Sequence, residues 1–254
     1  MKCIIFTVLI FSSLLKAQTQ IIAHRGFWKT SPETTENSIK ALDNAMDLHV
    51  YGSEFDVRMS KDGKLVVNHD EHHGSMEISE TDYSDLKKLR LGNGEKIPTL
   101  KKYLKHGRKF DDVKMIVELK PAKTAAKESE LVQKALDLVL DLKMENQCEF
   151  ISFSLHICKE IKRLFPEAKV QYLNGDLSPQ QLADLNIDGF DYHYKVLTEQ
   201  HSEWIAEAKK LGLVTNSWTV NDPEVFKNLK EQGIGFVTTN VPDLFQKIND
   251  ETKK

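Results

Sequence analysis

Two carboxylates, Glu54 and Asp56, stand two residues apart inside the β-type run Ser53 to Val57. Alternate side chains of a strand share a face, so both acids point the same way. Like charges held that close repel unless something cationic sits between them. Glu118 ends a second such run, Lys114 to Leu119, and Lys120 follows on the same face. Three oxygen donors of this kind suit a hard divalent ion, Ca²⁺ or Mg²⁺, with water or substrate completing its shell. The competing reading pairs each acid with a Lys or Arg at the same rim.

His24-Arg25-Gly26 closes the first β-type run of the chain, and His69-Asp70 closes another. Arg25 offers a planar fork for phosphate oxygens, Lys120 adds a second cation, and Gly26 lets the backbone turn sharply. Carboxylates able to hold a metal, two cations and two imidazoles together describe phosphoester chemistry. The cluster His69-Asp70-Glu71-His72-His73 raises a rival reading as a zinc site. It is loop-borne and its spacing matches no helix-borne zinc motif, so His72 and His73 are expected to be solvated.

These residues need elements that bring strand ends together. Eight β-type runs begin at Gln20, Ser53, Lys114, Glu149, Lys169, Gly189, Leu213 and Gly235. Between most of them lie segments of helical period, such as Ile39, Leu42, Ala45 and Met46, or Leu131, Ala135, Leu138, Val139 and Leu142. Eight strands alternating with helices imply an α/β fold, a closed (β/α)8 TIM barrel whose active site lies at the C-terminal ends of the strands. A ninth run, Lys64 to Asn68, follows Met59-Ser60-Lys61-Asp62-Gly63, too short for a parallel crossover and carrying a hairpin Asp-Gly. It is read as an antiparallel return strand outside the barrel, with an insertion over about Glu71 to Leu100 capping the mouth. A doubly wound open sheet is the competing fold, but no G-x-G-x-x-G loop favours it.

The 254 residues carry 35 Lys+Arg against 38 Asp+Glu and are 40% hydrophobic, the balance of an ordinary globular protein. Collagen-like, disulfide-stapled and polytopic membrane classes are excluded, and α/β barrels reach this length as one domain. Met1 to Ala17, with Lys2 ahead of the apolar run Cys3 to Leu15, reads as a secretory signal peptide; an uncleaved anchor is the alternative. The exported chain would then be a single domain, residues 18–254, periplasmic or secreted. It would also be more acidic, with no nucleic-acid footprint and no stable membrane association. Cys148 and Cys158 are expected to be buried thiols, held apart by the strand between them.

His24-Arg25-Gly26, Glu36-Asn37-Ser38, Glu54-Phe55-Asp56-Val57, Lys61-Asp62-Gly63, Val67-Asn68-His69-Asp70, Ile97-Pro98-Thr99-Leu100, Glu118-Leu119-Lys120 and Trp218-Thr219-Val220-Asn221 resemble, in order, the motifs of the glycerophosphodiester phosphodiesterase family. The resemblance runs from about Ile21 to about Asp243. It implies that Glu54, Asp56 and Glu118 hold one divalent cation, that His24 and His69 are the acid–base pair, and that Arg25 and Lys120 bind phosphate. Trp218 is a pocket wall or core, and Glu36 and Asn37 brace the His24 loop or touch substrate. The chain departs from the family pattern over Phe27 to Thr35, at Ser38, and in its short insertion, which bears on the alcohol group that fits. The expected activity is hydrolysis of small soluble glycerophosphodiesters to glycerol 3-phosphate and an alcohol. A related phospholipase acting on intact lipid and a non-catalytic phosphate-binding protein are the alternatives.

Overall fold

Short apolar-rich runs become strands here because one face of each packs on helices while the other fills the barrel lumen. The computed structural model describes residues 18–251 apart from residues 31 and 33. The segment read as a signal peptide lies outside them. The chain enters through β1 (Gln20–Ala23), α1 (Ile39–Asp47) and the long β2 (Gly52–Met59), then returns through β3 (Leu65–Val67). An insertion follows, with the two-residue strands β4 (His72–His73) and β5 (Met76–Glu77), a 3-10 turn over Ile78–Glu80, and α2 (Tyr83–Leu86). Next come α3 (Leu100–Gly107), β6 (Lys114–Leu119), α4 (Ala125–Asp141), β7 (Cys148–Ser152), α5 (Leu155–Leu164), β8 (Val170–Tyr172) and α6 (Pro179–Asp184). The last quarter holds β9 (Gly189–His193), a π turn over Val196–Gln200, α7 (Trp204–Lys210), β10 (Val214–Trp218), α8 (Pro223–Gln232), β11 (Phe236–Thr239) and α9 (Pro242–Glu251).

The strand order is β1-β11-β10-β9-β8-β7-β6-β2, and β1 also pairs with β2, which closes eight parallel strands into a barrel. The open-sheet alternative is thereby ruled out. The ninth run is antiparallel, as its short connection requires: Val57, Arg58 and Met59 of β2 face Val67, Val66 and Leu65 of β3. β2 therefore uses its first residues to pair with β1 and its last to pair with β3. This handover carries His69 back to the mouth, where the Asn68 N–H donates to the Asp56 carbonyl at 3.0 Å.

Most of the apolar core lies between barrel and helices, with Phe55, Val57, Val117, Leu131, Ala135 and Phe150 among its buried members. A second cluster, Ile22, Ile116, Ile151 and Leu173, fills the lumen. Val66, Ile78, Leu86 and Ile97 form a third, which gives the insertion a small core of its own. Helix starts are set by side chains that accept otherwise unpaired N–H groups: Ser38, Thr99, Thr124, Ser154, Ser178 and Asp222 all do so. Glu95 of the insertion accepts from the Ile39 and Lys40 N–H groups at 2.9 and 3.1 Å, tying the insertion to the first turn of α1. Among the described residues, no helix is long and apolar enough to cross a membrane.

Candidate active site

Glu54, Asp56 and Glu118 meet inside the mouth because Asp56 of β2 and Glu118 of β6 are direct register partners. All three are buried and offer oxygens within 4.8 Å of one another. Among the described residues this is the only cluster of His, Cys, Asp and Glu donor atoms close enough to share a metal ion. The Lys120 Nζ lies 2.8 Å from Asp56 Oδ1 and 2.6 Å from Glu118 Oε1, so it supplies the cation that adjacent acids demand. Burial opposes ionisation of Asp56, yet Lys120 and Arg25 hold its carboxyl well below the usual range. Burial and the neighbouring Asp56 push Glu118 up to about 7 and Glu54 well above its ordinary value. Glu54 Oε1 is buried without a hydrogen-bond partner. Charge crowding, hard oxygen donors and that orphaned acceptor fit a divalent cation, which would relieve all three.

The His24 loop is built around these acids. Arg25 and Asn37 both take left-handed backbone, with φ of 57° and 59°. The Arg25 N–H donates to Glu54 Oε2 at 2.8 Å, and the Asn37 N–H donates to the Arg25 carbonyl at 2.9 Å. Asn37 also clasps Asp56, donating through Nδ2 to Oδ2 at 2.8 Å and accepting the Asp56 N–H at 3.1 Å. Asn37 thus braces the loop, and so does Glu36, which accepts twice from the Arg25 guanidinium at 2.9 Å. The fork expected to face phosphate is, in this conformation, engaged by Glu36, with Arg25 Nε 3.6 Å from Asp56. Gly26, at φ 78°, lies so close to α1 that an added Cβ would sit 2.7 Å from the Ala41 carbonyl carbon.

Both imidazoles flank the acids. His24 Nδ1 is 2.8 Å from Asn240 Oδ1, and since that oxygen only accepts, the proton lies on Nδ1 and Nε2 faces Glu54 at 4.0 Å. Burial, helped by Arg25, lowers the His24 pKa to about 4. His69 Nδ1 donates to Asp70 Oδ1 at 2.8 Å, and Arg58 Nε donates to the His69 carbonyl at 2.8 Å. Trp218 is half-buried, with its Nε1 pinned to the Asp191 carbonyl at 3.0 Å and its ring 5.4 Å from that of Phe153. It is a wall of the mouth resting on the lumen core.

One expectation is corrected. His73 is buried, only 6% exposed, because successive residues of β4 face opposite ways and its imidazole turns inward as that of His72 turns out. That opposition also removes the zinc reading, since the two rings cannot converge on one ion. Reading the sequence missed Asn240, which seats His24, and the buried lumen acid Asp191; both are signalled by position, one following β11 and one on the inward face of β9. Cys148 and Cys158 are free and buried, as expected.

A family model for the glycerophosphoryl diester phosphodiesterase family matches residues 24–244. A glycerophosphodiester phosphodiesterase from Caldanaerobacter subterraneus subsp. tengcongensis is 27% identical over 243 residues, covering 89% of this chain and 96% of the relative. The crystal structure of a glycerophosphodiester phosphodiesterase from Parabacteroides distasonis superposes with TM-score 0.92 at 41% identity, covering 94% of this chain and all of that one. An Oleispira antarctica phosphodiesterase, solved in complex with the product sn-glycerol-3-phosphate, superposes with TM-score 0.80 at 25% identity, over 92% of this chain and 97% of that one. Barrel, acidic cluster and ordered motifs agree with these likenesses, and the chain belongs to the glycerophosphoryl diester phosphodiesterase family.

Proposed function

We propose that the protein hydrolyses glycerophosphodiesters to sn-glycerol 3-phosphate and an alcohol, with one divalent cation held by Glu54, Asp56 and Glu118. The observation that carries the reading is the meeting of three buried carboxylates, two imidazoles and two cations at one barrel mouth, in a chain of this family. The cation, Ca²⁺ or Mg²⁺, supplies charge neutralisation for the phosphoryl oxygens. Lys120 stands between Asp56 and Glu118 and would turn its ammonium to a phosphate oxygen bound beside them. Arg25 exchanges part of its Glu36 fork for phosphate in the same way. His24 and His69 each hold their Nδ1 proton on an oxygen acceptor, which leaves Nε2 of each ring to take or give a proton at the reacting oxygens. One removes the proton of the nucleophile, which is water or the glycerol 2-hydroxyl, and the other returns one to the leaving alkoxide; attack by the 2-hydroxyl forms a cyclic phosphate that water then opens to glycerol 3-phosphate. Trp218 walls the site. A cleft of about 510 Å³ between the insertion and the connection after β6 has Arg58, Glu71, Ile78 and Lys120 on its lining, and we assign it to the departing alcohol.

We further propose that residues 1–17 direct export and are removed, leaving residues 18–254 as one catalytic domain, periplasmic or secreted, that acts on soluble diesters without stable membrane or nucleic-acid association. The decisive assay is release of glycerol 3-phosphate from glycerophosphocholine and glycerophosphoethanolamine by the protein lacking residues 1–17, with Ca²⁺, with Mg²⁺ and with EDTA. Metal-dependent release is expected. Full activity in excess EDTA would remove the metal, and no release with either metal would remove the substrate assignment.

A further inference from the structure

A third imidazole stands at the mouth, on the last residue of β9. His193 and Trp218 are direct register partners across β9 and β10, with ring centroids 5.1 Å apart and nearly perpendicular planes. Trp218 meets Phe153 edge-on at 5.4 Å, and the Phe153 ring centroid lies 6.0 Å from the Lys120 Nζ that bridges Asp56 and Glu118. One continuous wall therefore runs from the acidic cluster through two aromatic rings to His193. The wall is rigid. The indole is anchored by its hydrogen bond to the Asp191 carbonyl, and the imidazole stacks on Tyr194 at 4.5 Å.

The polarity of His193 is also set. The Lys195 N–H donates to Nδ1 at 3.3 Å, so Nδ1 carries the lone pair and the neutral ring carries its proton on Nε2. Burial and then Lys195 lower the imidazole pKa and keep the ring neutral at neutral pH. Nε2 hydrogen-bonds no described residue. A diester phosphate, being an anion, goes to the metal site and to Arg25 and Lys120, which leaves the uncharged part of the substrate to the uncharged wall. Aromatic faces with one or two placed donors are how pockets hold and orient a small ligand that is part apolar and part hydroxyl.

We propose that His193 is a specificity-determining residue: its Nε2–H donates to a hydroxyl of the substrate's glycerol moiety, whose carbon face lies against Trp218 and Phe153. This rests on the phosphodiesterase reading above and names the group that reads glycerol. The variants are His193→Phe, which keeps an aromatic ring without a donor, and His193→Gln, which keeps an N–H donor. Each is assayed on glycerophosphoethanolamine and on bis(p-nitrophenyl) phosphate, which has no glycerol. Loss of one neutral hydrogen bond lowers the ratio of the two kcat/KM values by about five- to tenfold in His193→Phe, and His193→Gln recovers most of it. Calorimetry with sn-glycerol 3-phosphate and with inorganic phosphate gives a reading independent of turnover: the preference for the former falls by a similar factor in His193→Phe. An unchanged ratio in both measurements, or equal losses on both substrates, would overturn the proposal. Wild-type protein inactive on every glycerophosphodiester would overturn the phosphodiesterase reading instead, while the calorimetric ratio still judges His193.

Discussion

His24 and His69 resemble each other in one respect that governs what their loss should do. Each is held by a single side-chain acceptor, Asn240 or Asp70, and neither packs in the apolar core. His24→Ala and His69→Ala are therefore expected to lower kcat by about 10²–10⁴-fold while melting near wild type, as turnover and thermal unfolding together would show. Asp191 is the opposite case. It is 1% exposed with both carboxyl oxygens lacking a hydrogen-bond partner, and burial, then Glu118, raises its pKa well above the ordinary value. A carboxyl raised on folding contributes stability that is complete below its unfolded pKa of about 3.9 and is lost as pH rises toward the native value. Asp191→Asn escapes that loss. Its stability advantage should be absent near pH 4 and widen above it by at most about 1.4 kcal/mol per pH unit, and a gap that stays flat with pH in denaturant titrations would show Asp191 ionised in the fold.

At the scale of elements, strand and helix existence was legible and element ends were not. The barrel runs are short apolar-rich stretches set between helical periods and so can be recognised, whereas β4 and β5 have two residues each and no pattern to detect. The apolar pattern that begins at Gly189 runs out at Tyr192, but β9 extends to His193, and that one residue is the difference between an unremarked loop histidine and an inward-facing side chain at the mouth. The metal acids were legible because a spacing of two on a strand dictates a shared face. Asn240 was not: its place just after β11 puts it at the mouth, but does not tell which of the residues there it pairs with, and His24 lies 216 positions away. The insertion also does more than cap the mouth. Glu95 closes the N-terminal turn of α1, and α1 presses on Gly26 of the His24 loop. Glu95→Ala should cost about 1 kcal/mol in stability and also raise KM; a stability loss with unaltered kinetics would confine Glu95 to a capping role.

The whole molecule is a closed sheet wrapped in helices, and closure decides which groups solvent can reach. Cys148 begins β7, Cys158 lies on α5, and burial pushes both thiols up to about 12. Folded protein should resist alkylation by iodoacetamide at neutral pH and react at both positions once unfolded, as mass spectrometry would read. Labelling of the native state would reveal local opening of the β7–α5 unit.

Closure also fixes when in its own history the protein can act. β1 hydrogen-bonds to both β2 and β11, and His24 takes its orientation from Asn240, just past the final strand. A chain still being synthesised already carries Glu54, Asp56, Glu118, Lys120 and both imidazoles long before Asn240 emerges. None of that amounts to a working centre until the last strand arrives beside the first. Fragments ending before β11 should be inert however complete their set of reactive side chains, so that hydrolysis awaits the pairing of β11 with β1.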